Sequence, residues 1–104
     1  MPQNLDKDGL RSKINSYELF FIDIWGVIHN GLQIFEDSIE VLENLKKNNK
    51  EFVLLTNAPR PNSTVIDFLK KIGLKKYYED VYTSGEASLK YLMENFLNSK
   101  FYHI

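Results

Sequence analysis

Residues Glu18-Leu19-Phe20-Phe21-Ile22-Asp23-Ile24 decide how the rest of the chain is read. Five of the seven are bulky apolar residues, and they do not alternate with polar ones. Such a run is expected of a strand in a parallel sheet, buried on both faces. A single carboxylate, Asp23, sits inside it. An unpaired charge among apolar side chains is costly. Asp23 is therefore read as a functional group in preference to an N-cap or turn acid.

Working outward, further strand-like runs follow at Phe52-Val53-Leu54-Leu55, Val81-Tyr82 and Phe101-Tyr102-His103-Ile104. Helical patterns lie between them. Asp37 followed by Glu40 fits a capping box, with Ile39, Leu42 and Leu45 on one face. The next helix is expected to open at Asn62 or Ser63 after Pro61 and to end at Gly73. Its Val65, Phe68, Leu69 and Ile72 follow helical spacing. A third opens at Ser84 and carries Leu89, Leu92, Met93 and Phe96. Asp23 and Thr56 are 33 residues apart, and Thr56 and Ser84 are 28 apart. Each interval suits one βαβ unit, so the fold class is α/β with a parallel sheet. Residues 1–16 read as an N-terminal extension with a short helix around Leu10 to Ile14, and residues 17–104 as the α/β core.

The chain of 104 residues has room for one domain. At 43% hydrophobic and 26% charged residues it has a globular composition. The net charge of −1 offers no basic excess for nucleic acid or an anionic membrane. The absence of cysteine excludes disulfides, thiol catalysis and cysteine metal sites. No apolar run approaches the ~20 residues of a membrane span. The acidic, polar start is unlike a secretory signal, so the expected compartment is cytoplasmic.

In open parallel sheets, ligands bind beyond the carboxyl ends of the strands. Asp23, Thr56-Asn57 and Thr83-Ser84 occupy those ends. Neighbouring strands lie about 4.8 Å apart, so Asp23 and Thr56 would converge. A carboxylate facing a hydroxyl suits attack on a phosphoryl group, with the hydroxyl and backbone N–H groups holding its oxygens. For Thr56 the plainer reading, a β-favoured residue finishing its strand, weighs equally. Ser84 is read as a helix start, about 10 Å from Asp23 by strand spacing.

The run Phe20-Phe21-Ile22-Asp23-Ile24-Trp25-Gly26-Val27-Ile28-His29-Asn30-Gly31 resembles the first motif of the haloacid dehalogenase (HAD) superfamily. More narrowly, it is similar to the class IIA, nitrophenylphosphatase-like branch, in a sub-branch reading Asp-x-Trp-Gly-Val. Leu54-Leu55-Thr56-Asn57 is similar to the second motif of that branch. Gly73-Leu74 and Tyr82-Thr83-Ser84-Gly85-Glu86 also sit where the branch has them. The resemblance implies a Rossmann-like, HAD-type three-layer sandwich and hydrolysis of a phosphorylated small molecule through an aspartyl-phosphate. It implies Asp23 as nucleophile and Mg²⁺ ligand, and Trp25 as a metal ligand through its backbone carbonyl. Thr56 and Asn57 are implied to position the phosphoryl group, and Gly26 and Gly31 to shape the loop and flap after the first strand.

Two departures stand out. Trp25 occupies the place of a second Asp that serves as acid and base, and loss of a general acid costs about 10²–10⁴ in rate. The indole is expected instead to cover the site or stack on substrate. The cap domain, the catalytic Lys and the acidic metal motif of the family also have no counterpart here. The chain is therefore expected to be the N-terminal half of a HAD-like core, inactive or nearly so by itself. The alternative is an interaction module completed by a second chain. A receiver-type domain is disfavoured, because receivers are phosphorylated after the third strand, which here ends in Thr83-Ser84. Leu19 to Ile24 would form an edge strand, open to a complementary chain or to self-association.

Lesser candidates are His29, read as a surface-loop histidine in preference to a proton donor, and Arg60, weighed equally as a phosphate contact and a turn residue. Lys46-Lys47 and Lys70-Lys71 complement helix dipoles, and Lys75-Lys76 read as a solvated loop. Tyr77-Tyr78 are expected to pack before the third strand, and His103 has no metal-site partner.

Overall fold

The computed structural model describes residues 8–102. Three parallel strands form one sheet in the order β1 (Leu19–Asp23), β2 (Glu51–Thr56), β3 (Val81–Thr83). The register runs from Leu19 opposite Glu51 to Asp23 opposite Leu55, and from Leu54 opposite Val81 to Thr56 opposite Thr83. Helices α1 (Glu36–Lys47), α2 (Asn62–Lys71) and α3 (Ser84–Asn95) follow the strands in turn. This is the α/β parallel sheet expected from the strand–helix alternation, and the Rossmann-like architecture that the family resemblance implies.

The core lies on one side of the sheet. Leu42 and Leu45 of α1 and Leu69 of α2 are buried with Phe52, Leu54 and Val81, and Phe20 and Ile22 pack against them. Full burial of each such side chain contributes about 1.5–3 kcal/mol. Both core helices end in a left-handed cap. Lys50 N–H donates to the Leu45 carbonyl and Leu74 N–H to the Leu69 carbonyl, the long bond of a Schellman motif. Leu74 then continues into the core.

The expectation that β1 is buried on both faces is overturned. Its burial alternates, with Phe20 and Ile22 inward and Leu19 and Phe21 outward, Phe21 being 69% exposed. The cause is layer coverage. Helices α1 and α2 cover one face, whereas α3, on the other, buries none of its residues. Its stripe of Leu89, Met93 and Phe96 stays exposed. Among the described residues β1 has β2 as its one strand neighbour and forms a sheet edge.

Three local expectations also change. The capping box at Asp37 does not form. Helix α1 begins two residues earlier, with Phe35 at the N-cap and no side-chain cap. The entry is fixed instead by Phe35 N–H donating to the Ile28 carbonyl at 2.8 Å, and Glu36 and Asp37 complement the dipole from the first turn. In place of one N-terminal helix there are two 3-10 turns, Leu10–Ser12 and Ile14–Ser16. Phe101 and Tyr102 form no strand and are exposed, and His103 and Ile104 lie outside the described residues.

Candidate functional site

The carboxyl ends of the three strands open into a cleft of about 580 Å³. Because Asp23 pairs with Leu55, Thr56 stands one step beyond it on the adjacent strand. Asp23, Thr56, Asn57, Thr83 and Ser84 supply the polar wall, and Phe21, Leu55 and Tyr82 the apolar floor. Asp23 is exposed there, which spares it the desolvation that its apolar neighbours in sequence imply. One of its oxygens, Oδ1, accepts the Ile24 N–H at 2.8 Å. Thr56 Oγ1 accepts the Ala58 N–H at 3.3 Å, which folds the following loop back on the strand end. A carboxylate, a hydroxyl, an amide and turned backbone thus share one opening, as attack on and retention of a phosphoryl group require.

The loop after β1 returns on itself before α1. Its backbone pairs Trp25 with His29 and His29 with Ile34. Gly26 and Gly31 hold φ of +79° and +91°, the left-handed range that glycine adopts without strain. Trp25 is 63% exposed, its ring lies beside Gly31, and it meets the His29 ring edge-on at 5.1 Å. The indole does not line the cleft around Asp23.

His29 is not a surface-loop residue. It is 4% exposed, and its ring sits edge-on between Trp25 and Phe68 of α2. Gly31 N–H donates to His29 Nδ1 at 2.8 Å, so the neutral ring carries its proton on Nε2. Burial lowers its pKa from the ordinary histidine value. The hydrophobic spacing around Phe68 was the available signal, since that residue lies on the helix face that the loop must cover. His29 does not line the cleft, which removes it as a substitute proton donor.

The sequence reading missed what holds the loop at 57–61. Its carbonyls are engaged by Thr83, Ser84 and Gly85 at the β3–α3 junction. Thr83, not Ser84, caps α3, accepting Glu86 N–H at 2.9 Å. Arg60 joins this network through its backbone carbonyl.

Asp23 is the one carboxylate lining the cleft, and the described residues contain no cluster of three or more acids or histidines able to hold a metal ion. Mg²⁺ is usually held by one or two carboxylates with phosphate oxygens and waters. Asp23 is by itself a partial donor set, and the described residues make no complete magnesium cage around it. Among the described residues no helix is long and apolar enough to cross a membrane.

Comparison with known proteins places these features. No curated protein sequence matches the chain. A haloacid dehalogenase-like family hydrolase from Brucella suis 1330 superposes with a TM-score of 0.71 at 30% identity, over 91% of this chain and 35% of its own. The 4-nitrophenylphosphatase from Thermotoga maritima gives 0.67 at 30%, over 80% and 32%. The fold is shared by a glycerol phosphate phosphatase from Mycobacterium tuberculosis in complex with magnesium, with a TM-score of 0.60 at 23%, over 80% and 25%. The chain thus spans about a third of the length of the first two structures. The family described as haloacid dehalogenase-like hydrolase matches residues 20–104. With an aspartate closing the first strand, a threonine closing the second and phosphatases among its structural neighbours, this chain belongs to the haloacid dehalogenase-like hydrolases.

Proposed function

We propose that the chain supplies the nucleophile and phosphate-holding half of a Mg²⁺-dependent phosphohydrolase. The observation that carries this reading is the shared opening of Asp23, Thr56 and Asn57 at the ends of two adjacent parallel strands. In the proposed reaction an Asp23 carboxylate oxygen attacks phosphorus, the ester P–O bond breaks, and the leaving oxygen departs. Water then attacks the phosphorus of the aspartyl-phosphate, releasing phosphate and restoring the carboxylate. Thr56 Oγ1 and the Asn57 amide hold the phosphoryl oxygens throughout. Asp23 and the Trp25 carbonyl are the groups that would face Mg²⁺, whose charge favours the anionic substrate. The Trp25 indole N–H is too weak an acid to protonate a leaving group, so esters with a weakly basic leaving group, such as 4-nitrophenol, suit this half best.

By itself the chain is expected to turn over 4-nitrophenyl phosphate with Mg²⁺ well below about 1 s⁻¹, the low end of ordinary enzymes. Inorganic phosphate with Mg²⁺ should still shift the amide resonances of Thr56 and Asn57, and Asp23→Asn should weaken that response. Turnover at or above that rate, abolished by Asp23→Asn, would show that the chain is catalytically self-sufficient. Absence of any phosphate response at the cleft would remove the reading.

A second reading is favoured by one observation. Among the described residues strand β1 is an edge, and its outward Leu19 and Phe21 are uncovered. An edge of this kind can be extended by another strand. A complementary chain that pairs there would complete a split enzyme.

A further inference from the structure

The segment joining Thr56 to α2 has no regular structure between residues 57 and 61, yet its backbone is tied down almost residue by residue. Ser84 Oγ donates to the Asn57 carbonyl at 2.9 Å and to the Ala58 carbonyl at 3.0 Å. Gly85 N–H donates to the Ala58 carbonyl at 3.1 Å. Thr83, fully buried, donates its hydroxyl to the Arg60 carbonyl. Two bonds link the start of α2 to the same junction. Thr83 N–H donates to Asn62 Oδ1 at 2.9 Å, and Asn62 N–H donates to Glu86 Oε2 at 3.0 Å. A side chain at Gly85 would collide with the Arg60 backbone, so the approach depends on glycine there.

We infer that Thr83-Ser84-Gly85-Glu86 is a positioning element that sets the orientation of the phosphate-side loop, with Ser84 as its adjustable member. The inference rests on the phosphate reading of Thr56 and Asn57. Ser84 is exposed and is the first residue of α3. Thr83 already caps that helix, so the Ser84 hydroxyl has no capping duty, and it is directed at the loop. Its hold has a geometric consequence. In a trans peptide the carbonyl and the next N–H point in opposite directions. Drawing the Asn57 carbonyl toward Ser84 turns the Ala58 N–H away from Ser84, and that N–H donates to Thr56 Oγ1. The Asn57, Ala58 and Arg60 carbonyls are thereby occupied within the junction, and because Thr56 Oγ1 accepts the Ala58 N–H, the Thr56 O–H is left to donate toward the opening. That is the polarity an anion needs.

The test compares Ser84→Ala, which removes the hydroxyl and favours helix, with Ser84→Thr, which keeps it. Both are made in the full chain and measured by urea unfolding, by amide hydrogen exchange at Ala58 and Arg60, and by titration with inorganic phosphate and Mg²⁺ followed at the Asn57 amide. Ser84→Ala is expected to unfold close to the parent midpoint, to exchange several-fold faster at Ala58 and Arg60, and to bind phosphate about five- to tenfold more weakly, the range of one to two modest hydrogen bonds. Ser84→Thr is expected to restore both readouts. Unchanged exchange at Ala58 and Arg60 in Ser84→Ala overturns the positioning role. So does faster exchange with undiminished phosphate affinity. If the parent chain binds no phosphate, the phosphate reading fails and the role of Ser84 toward phosphate fails with it, while the exchange data separately decide whether Ser84 holds the loop.

Discussion

The ring of Trp25 lies so close to Gly31 that a Cβ added at Gly31 would come within 2.6 Å of Trp25 Cη2. The chain has one tryptophan, so its indole fluorescence reports on the surroundings of this one ring, Gly31 and His29 included. Gly31→Ala must push the indole aside and also place a side chain at φ +91°, which costs on the order of 1–2 kcal/mol. The expected result is a shifted Trp25 emission maximum and a lower unfolding midpoint. Emission and midpoint both equal to the parent would mean that the ring does not rest on Gly31.

Burial keeps His29 neutral and lowers its pKa. The folded state therefore binds its proton less readily than the unfolded chain, whose histidine titrates near 6.5. This group leaves stability at its full value above about pH 6.5, and stability falls as pH drops from there to the lowered folded pKa. Urea unfolding at pH 7.5 and pH 5.5 is expected to show the loss, and His29→Gln should reduce the difference. An identical pH dependence in the variant would assign it to other groups.

Core and outer helix positions should respond very differently to truncation. Leu69 is fully buried, whereas Leu89 of α3 is about half exposed. Leu69→Ala is expected to cost about 2–5 kcal/mol, a large share of the roughly 5–15 kcal/mol typical of a domain. Leu89→Ala should stay within about 0.5 kcal/mol. Comparable losses at the two sites, measured by urea titration, would show that α3 is packed in solution.

The open side of the sheet makes an association prediction. Phe21 and Leu55 present apolar surface beside a strand edge that has no partner among the described residues. Light scattering coupled to size exclusion at tens of micromolar should show concentration-dependent self-association, reduced by Phe21→Lys, since charge on an edge strand opposes pairing. A cooperatively melting monomer of 12.2 kDa under the same conditions would show that the edge is not adhesive.

Much of this was legible in the residues. The uninterrupted apolar run around Asp23 and the helical spacing of Leu42, Leu45 and Leu69 give the strands, the helices and their order. Asp23 and Thr56 are brought together because strand ends in a parallel sheet share one side, a rule independent of detail. What escaped reading depends on partners distant in sequence. The outward exposure of Phe21 follows from which face the helices cover, and hydrophobicity alone cannot distinguish a covered face from an open one. His29 reads as a loop residue until Phe68, 39 positions later, closes over it. Lys76 lies in an exposed loop as read, but its ion pair with Glu43 of α1 at 2.6 Å has no local signal. Ser84 opens its helix as read, but its bonds to Asn57 and Ala58 go to backbone carbonyls, which carry no sequence signature.

The order of the sheet also bears on how the chain acquires its structure. Among the described residues each strand pairs with the next one in sequence, and none of the three is inserted between two earlier ones. Closing each pair spans roughly thirty residues, and the entropy of such closures rises slowly with loop length. Assembly can therefore advance from the amino end, β1 waiting for β2 and β2 for β3, at the pace at which a ribosome delivers them. In that sequence of events Asp23 meets Thr56 as soon as the second strand docks. The Ser84 ties form last, so the phosphate-side loop would be the final part of the cleft to acquire its shape.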